Sequence, residues 1–279
     1  MGQRRDELLD RAEVLPELRA RVDDRPLALK AQGVRIYDVD NIGYVDYEGG
    51  RGAAIVGYAN QYVLDAVRKV LVNGVPDGLH VPQEVDLAES LSRVVPWAER
   101  WWLCRNHEEA LQALLRWLPR HTEKELFLKL DGGAEVAPTV PGRGDHEGRG
   151  PSRIRTVPGW DLERIEATLT AGASKIAAMI VDPMMSAAGV VPPPDGAVAR
   201  IAEMCRDAGV LLVLDERISG FRLHRGGAAA AFELCPDIGL YGGALGGGFP
   251  IGVVAFAGTV DAEPVAGGLS APHSVSLAA

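Results

Sequence analysis

The chain has 279 residues, 47% of them apolar and 24% charged, with a formal net charge of -9. That composition is globular, leaves ample chain for a buried core, and has the wrong sign for a nucleic-acid surface. The 33 glycines and 18 prolines favour turns over a helical bundle. No apolar run reaches membrane-spanning length, and the N-terminus lacks both a signal-peptide core and the hydroxyl residue a myristoylation signal wants after Gly2. Cys104, Cys205 and Cys235 are too widely spaced for a metal site. A cytoplasmic protein with ordinary buried thiols and no membrane segment is expected.

In chain order, Asn60 is positioned to cap a helix that carries Val63, Val67 and Leu71 on one face and stops near Gly74. Leu87, Leu91 and Val94 repeat at helical spacing between Glu84 and Val95, just before Pro96. Trp101 to Cys104 reads as a strand, followed by a helix with Ala110, Leu111, Leu114 and Leu118, then a strand from Leu126 to Leu130. From Asp131 to Gly159 the pattern collapses. Seven glycines and four prolines there predict a long loop or insertion. Asp161 caps a helix bearing Leu162, Ile165 and Leu169; Ile176 to Val181 is a buried strand. A helix from Ala197 to Ala208 closes at Gly209, a strand follows at Val210 to Leu214, and another at Ile251 to Ala257. Continuous apolar strands between amphipathic helices imply an α/β fold with a mostly parallel sheet and helices on both faces. Residues 1–60 form an N-terminal segment and 61–279 one large domain, with no clear linker between them.

The segment Pro236-Asp237-Ile238-Gly239-Leu240-Tyr241-Gly242-Gly243-Ala244-Leu245-Gly246-Gly247-Gly248-Phe249-Pro250-Ile251-Gly252 resembles a signature of the class III pyridoxal-phosphate aminotransferases, a family with the type I fold. Other stretches support the resemblance in the same order. Ile36 to Tyr47 is similar to the family's N-terminal hairpin, and Ile55-Val56-Gly57-Tyr58-Ala59-Asn60 to its helix entry. Val181-Asp182-Pro183 is similar to its Glu-Pro strand end, and Leu214-Asp215-Glu216-Arg217-Ile218-Ser219-Gly220-Phe221-Arg222 to its Asp-Glu-Val-x-Thr-Gly-Phe-Arg segment. Within the family, the resemblance is to the glutamate-1-semialdehyde aminomutases. It runs from about Arg25 to the last residue.

The resemblance implies a lysine where this chain has Gly243. That lysine's amine would condense with the cofactor aldehyde and shuttle the substrate proton. It also implies that Asp215 pairs with the cofactor's pyridine nitrogen. Asp182, at the neighbouring strand end, is a second acid expected at the same edge, where open α/β sheets place ligands. Both acids have a plainer alternative as caps of strand-to-loop turns. The family's Ser-Gly-Thr phosphate cradle at a helix start falls on Asn106-His107-Glu108, followed by Glu109, and a phosphate there meets like charge. The aromatic-His pair falls on Gly132-Gly133-Ala134-Glu135, a loop tryptophan on Arg51, and a phosphate-binding threonine on Ala271. The family's C-terminal small domain is expected to be missing.

Arg217 stands where the family has an apolar residue; it either neutralises Asp215 or fills cofactor space. Arg51 and Arg105 are candidates for a carboxylate ligand, and solvated arginine is the alternative. His107, His224 and His273 fall near the inferred pocket edge without partners at metal or triad spacing. No metal site is expected. Two function classes stand. One is a pseudoenzyme without covalently bound cofactor, acting as a homodimer or as a heterodimer with an intact aminotransferase-like subunit. The other is a repurposed, cofactor-independent enzyme acting on a small carboxylate in the old cleft, with Asp215, Asp182, Arg51 or Arg217 as its charged groups.

Overall fold

The computed structural model describes residues 3–11, 26–74, 79–136 and 154–262. A short helix α1 (Gln3–Arg11) precedes a small antiparallel sheet of β1 (Ala28–Gln32), β2 (Arg35–Asp38) and β3 (Gly43–Val45). Asp38 sets the β2–β3 turn: its carboxylate accepts from the Asp40 and Ile42 amides at 3.0 and 2.7 Å and from the Tyr44 hydroxyl at 2.9 Å. Next come α2 (Gln61–Val72), α3 (Pro82–Val94), β4 (Ala98–Cys104), α4 (His107–Thr122) and β5 (Leu126–Leu130). The second half holds β6 (Ile154–Val157), α5 (Leu162–Gly172), β7 (Ile176–Val181), α6 (Ala197–Asp207), β8 (Leu211–Glu216), α7 (Gly227–Ala231), β9 (Ile238–Tyr241) and β10 (Gly252–Ala257).

Among the described residues the large sheet has the order β4-β10-β9-β8-β7-β5-β6. β5 to β9 pair in parallel, while β10 runs antiparallel to both its neighbours. Alternate side chains build a core on each face. Phe127, Ile180, Val213, Ile238 and Phe256 pack with Leu111, Leu114, Leu115 and Leu118 of α4. Leu128, Met179, Val181, Leu212 and Leu214 pack with Ile165 and Leu169 of α5 and with Ile201 and Met204 of α6. Each fully buried leucine of α4 contributes about 1.5–3 kcal/mol, so truncating Leu114, which is 0% exposed, removes part of what docks that helix.

Several elements differ from the sequence expectation. β8 runs two residues beyond Leu214, so Asp215 lies inside the strand end rather than past it. Residues 154–157, assigned by their glycine-rich surroundings to the 131–159 loop, form edge strand β6, paired from Phe127–Ile154 to Leu130–Val157. Only four residues long and covered on one side, β6 shows too little alternation to be legible. Residues 137–153 of that loop lie outside the described residues. β9 was not expected at all: Gly239 interrupts its apolar run, because Trp97 packs where a side chain would stand. The thiols also divide. Cys104 and Cys205 are buried, but Cys235 is exposed in the turn before Pro236. Burial pushes the Cys205 thiol up to about 12.

Candidate functional site

The alternation of β8 sends its last two acids to opposite faces of the sheet. Asp215 follows Val213 toward α4 and is 1% exposed. Immediately after the strand, Arg217 folds back over it. Its Nε donates to Asp215 Oδ1 at 2.8 Å and its Nη2 to Oδ2 at 2.7 Å, a two-pronged fork on one carboxylate. The Arg217 amide adds a third bond, to Oδ1 at 3.2 Å. The same guanidinium reaches two other segments: Nη2 donates to the Glu135 carbonyl at 3.0 Å, and Nη1 to Glu108 Oε1 at 3.2 Å. Burial alone pulls the Arg217 pKa down. The hydrogen bond and charge of Asp215, then the charges of Glu108 and Asp182, outweigh that and hold it above its ordinary value. The sequence left two roles open for Arg217, to neutralise Asp215 or to fill cofactor space; its guanidinium lies on the Asp215 carboxylate, which the first requires and the second allows.

Glu108 belongs to the first turn of α4. Asn106 caps this helix, its side chain accepting from the Glu109 amide at 2.8 Å, and the Glu109 carboxylate accepts from the Arg105 amide at 2.7 Å. Glu109 therefore serves its own helix, while Glu108 turns toward Arg217. His107 Nε2 lies 3.5 Å from Glu108 Oε1. Burial lowers the His107 pKa and the Arg217 charge lowers it further, against smaller opposing pulls from Glu108 and Asp215. The imidazole is thus neutral near pH 7, and its contact with Glu108 is no ion pair there.

Gly243 opens the short turn Gly243–Gly246 beneath this cluster. Its φ of +50° is in the left-handed region, and an added Cβ would stand 3.0 Å from the Arg217 carbonyl oxygen. The position therefore favours glycine in both backbone and space. The end of β8 with Asp215, and the turns that hold Arg217, Asn106, His107, Glu108 and Gly243, meet at one end of the sheet.

The other candidates have different surroundings. Asp182 sits opposite Asp215 across the β7–β8 pair, next to the Val181–Leu214 register, and is 3% exposed. Its carboxylate accepts from the amides of Ala134 (2.9 Å), Met184 (3.0 Å) and Ser186 (2.9 Å) and from the Ser186 hydroxyl. Both oxygens are committed to fastening the loops after β5 and β7, the turn-capping alternative. Arg51 is exposed, in a left-handed turn on a loop tied down by Asp46, which accepts from the Tyr58 hydroxyl at 2.5 Å. Burial, with the Asp46 bond and charge, pushes the Tyr58 phenol up to about 12. His224 accepts from the Gly226 amide at 3.0 Å and serves its turn. Arg105 is exposed beside the α4 cap. Ala271 and His273 lie outside the described residues.

Sequence reasoning missed Glu216, which is 0% exposed on the opposite face from Asp215. Its oxygens accept from the Ala228 and Ala229 amides at 2.6 and 3.1 Å and from the Ser219 hydroxyl at 3.1 Å. Burial raises its pKa, and these hydrogen bonds oppose the rise. The signal lay in the alanine run: Ala228 and Ala229 have no bulk to keep a carboxylate away from their amides. Gly227, with φ +74°, leaves room where a Cβ would come within 2.4 Å of Glu216 Oε1. Among the described residues, no group of three His, Cys, Asp or Glu is placed to hold a metal ion, and no helix is long and apolar enough to cross a membrane.

Comparison with known proteins places these features in context. Residues 157–270 match the family description Aminotransferase class-III. The glutamate-1-semialdehyde 2,1-aminomutase of Alkaliphilus oremlandii is 33% identical over 236 residues, covering 80% of this chain and 56% of that protein. Among solved structures, a transaminase with PLP bound superposes with a TM-score of 0.83 at 25% identity, over 99% of this chain and 70% of the other. A glutamate-1-semialdehyde-aminomutase from Pseudomonas aeruginosa PAO1 gives 0.74 at 26%, over 84% and 54%. The chain spans a little over half the length of the curated relatives it matches.

Proposed function

Because this chain belongs to the class III aminotransferase family, with the type I fold, we propose that it is a member that has left transamination and serves as a partner subunit. Gly243 carries this proposal. The position expected to supply the reactive amine has no side chain, and its left-handed backbone, 3.0 Å from the Arg217 carbonyl, resists acquiring one. Pyridoxal phosphate, the cofactor the family implies, does not fit the residues around it. Its ring nitrogen would compete with the Arg217 guanidinium for Asp215, and its phosphate would meet Glu108 at a helix start already capped by Asn106 and Glu109. No step of a reaction is therefore assigned to that cofactor. A small carboxylate ligand is equally disfavoured. Asp215 and Glu108 already outweigh the charge of Arg217.

A partner role draws support from exposed side chains of the N-terminal part. Tyr47 and Tyr62 are 95% and 89% exposed, Ile55 and Val56 are open as well, and Val56 and Val63 lie beside Gly247 of the glycine-rich turn. Where such side chains join into one patch, they mark a contact site. A homodimer, or a heterodimer with an intact aminotransferase-like subunit, would cover it. The decisive experiment is incubation with pyridoxal phosphate, reduction with borohydride and peptide mapping by mass spectrometry. The expected result is no stoichiometric adduct. A specific, stoichiometric adduct on a lysine of the cleft would overturn the proposal.

A further inference from the structure

We propose that Arg217 is an internal ligand: its guanidinium fills the cleft at the carboxyl edge of β8, supplies the planar cation that Asp215 holds, and keeps that cleft closed. The inference rests on the preceding proposal only in requiring that no bound cofactor occupies Asp215. Three observations carry it. The first is the fork, which satisfies both Asp215 oxygens from two nitrogens at 2.7 and 2.8 Å, with the Arg217 side chain 5% exposed. Planar, two-pronged recognition is how a guanidinium or an amidinium binds a carboxylate, and an ammonium cannot reproduce it.

The second observation is reach. One side chain joins three segments distant in sequence: the end of β8, the first turn of α4 through Glu108, and the Glu135 carbonyl after β5. A small molecule lodged in a cleft does the same, contacting each wall at once. The third is tethering. Arg217 is two residues from its carboxylate, so its effective concentration exceeds that of a free cation, and an outside molecule must displace it to enter. Asp215, Arg217 and Glu108 together carry one net negative charge, so the cleft draws no anion. Emptied of Arg217, it is a site for a small planar cation.

Chemical rescue tests this. Arg217→Ala leaves Asp215 buried and unpaired, and its melting temperature should fall by about 5–15 °C. Methylguanidinium at low millimolar concentration should then raise the melting temperature of Arg217→Ala saturably, by several degrees. It should leave wild type and the double variant Asp215→Asn/Arg217→Ala unchanged, with sodium and tetramethylammonium chlorides as ionic controls. An unchanged melting temperature in Arg217→Ala, or the same methylguanidinium effect in all three proteins, would overturn the proposal. Should Arg217→Ala fail to fold, Arg217→Lys serves instead: it keeps the charge without the fork and should melt measurably below wild type, whereas equal stability overturns the proposal. Failure of rescue leaves the cofactor-free function standing. A borohydride-stable adduct on wild type would instead refute that function.

Discussion

Replacing Gly243 with lysine restores the amine that the family resemblance implies, and the structure predicts that it restores little else. The backbone there has φ +50°, a region that costs an ordinary L-residue about 1–3 kcal/mol. The new Cβ would press on the Arg217 carbonyl at 3.0 Å, tighter than ordinary contact, so the upper half of that range is the better figure. For a chain of this size about 2–3 kcal/mol corresponds to a fall in melting temperature of about 4–12 °C. Gly243→Ala should show most of the same fall, because the strain arises at the backbone and Cβ. Cofactor capture should remain poor in Gly243→Lys, since Arg217 still occupies Asp215 and Asn106 and Glu109 still cap α4. Adding Asn106→Ser, His107→Gly and Glu108→Thr should increase borohydride-trapped cofactor above the single variant. Thermal unfolding and adduct mass measured on the same samples report both quantities. A Gly243→Lys protein with wild-type stability and a full equivalent of trapped cofactor would refute the steric and electrostatic reasoning together.

Asp182→Asn should destabilise by about 2–4 kcal/mol in urea titration, because its NH2 would face either the Ala134 and Ser186 amides or, turned over, the Met184 amide, all of which now donate to a carboxylate; a neutral effect would show that the loops do not depend on it. Acidification should weaken the fold through His107. Its folded pKa lies below the ordinary value, chiefly through burial, so the unfolded chain binds the proton first. The contribution is complete above about pH 6.5 and declines as pH falls below it. His107→Gln should flatten this decline partly, since burial lowers His121 in the same direction; an unchanged pH slope would count against the assignment. Light scattering across a wide concentration range should give a dimer, and a stable monomer throughout would remove the case for the Tyr47–Tyr62 surface as a contact site.

The sequence was most informative where one period dominated. Leu126–Leu130 and Ile176–Val181 are strands with the bounds their apolar runs imply, and Asn60 and Asp161 cap the helices expected of them. Continuous apolar strands follow directly from a sheet buried on both faces, and the mostly parallel order bears this out. Legibility failed where tertiary neighbours decided the outcome. β9 exists because Trp97 and the flanking strands enclose Gly239, and β6 because β5 offers it an edge. In the site, motif order located Asp215, Arg217 and the Asn106–Glu108 turn, but chemistry had to wait for geometry. The string Asp215-Glu216-Arg217 offers Asp215 as the acid two residues before the arginine, but not the reach to Glu108 and the Glu135 carbonyl, and a capped Asp182 looks the same in sequence as one aimed into a pocket.

That same string gives β8 a keyed register. Its two terminal acids differ by one methylene and lie on opposite faces, Asp215 under a guanidinium and Glu216 under the amides of Ala228 and Ala229. A slip of one residue would turn each to the other face. Moved into the place of Glu216, the shorter arm of Asp215 would fall short of the alanine amides, and Leu214 would stand where Asp215 was. Hydrophobic side chains alone could not detect such an error, because Leu212, Val213 and Leu214 suit either face. The strand's alignment is thus written in the lengths of two carboxylic acids. Exchanging them, with no change in composition or charge, should disturb the fold more than many substitutions that alter both.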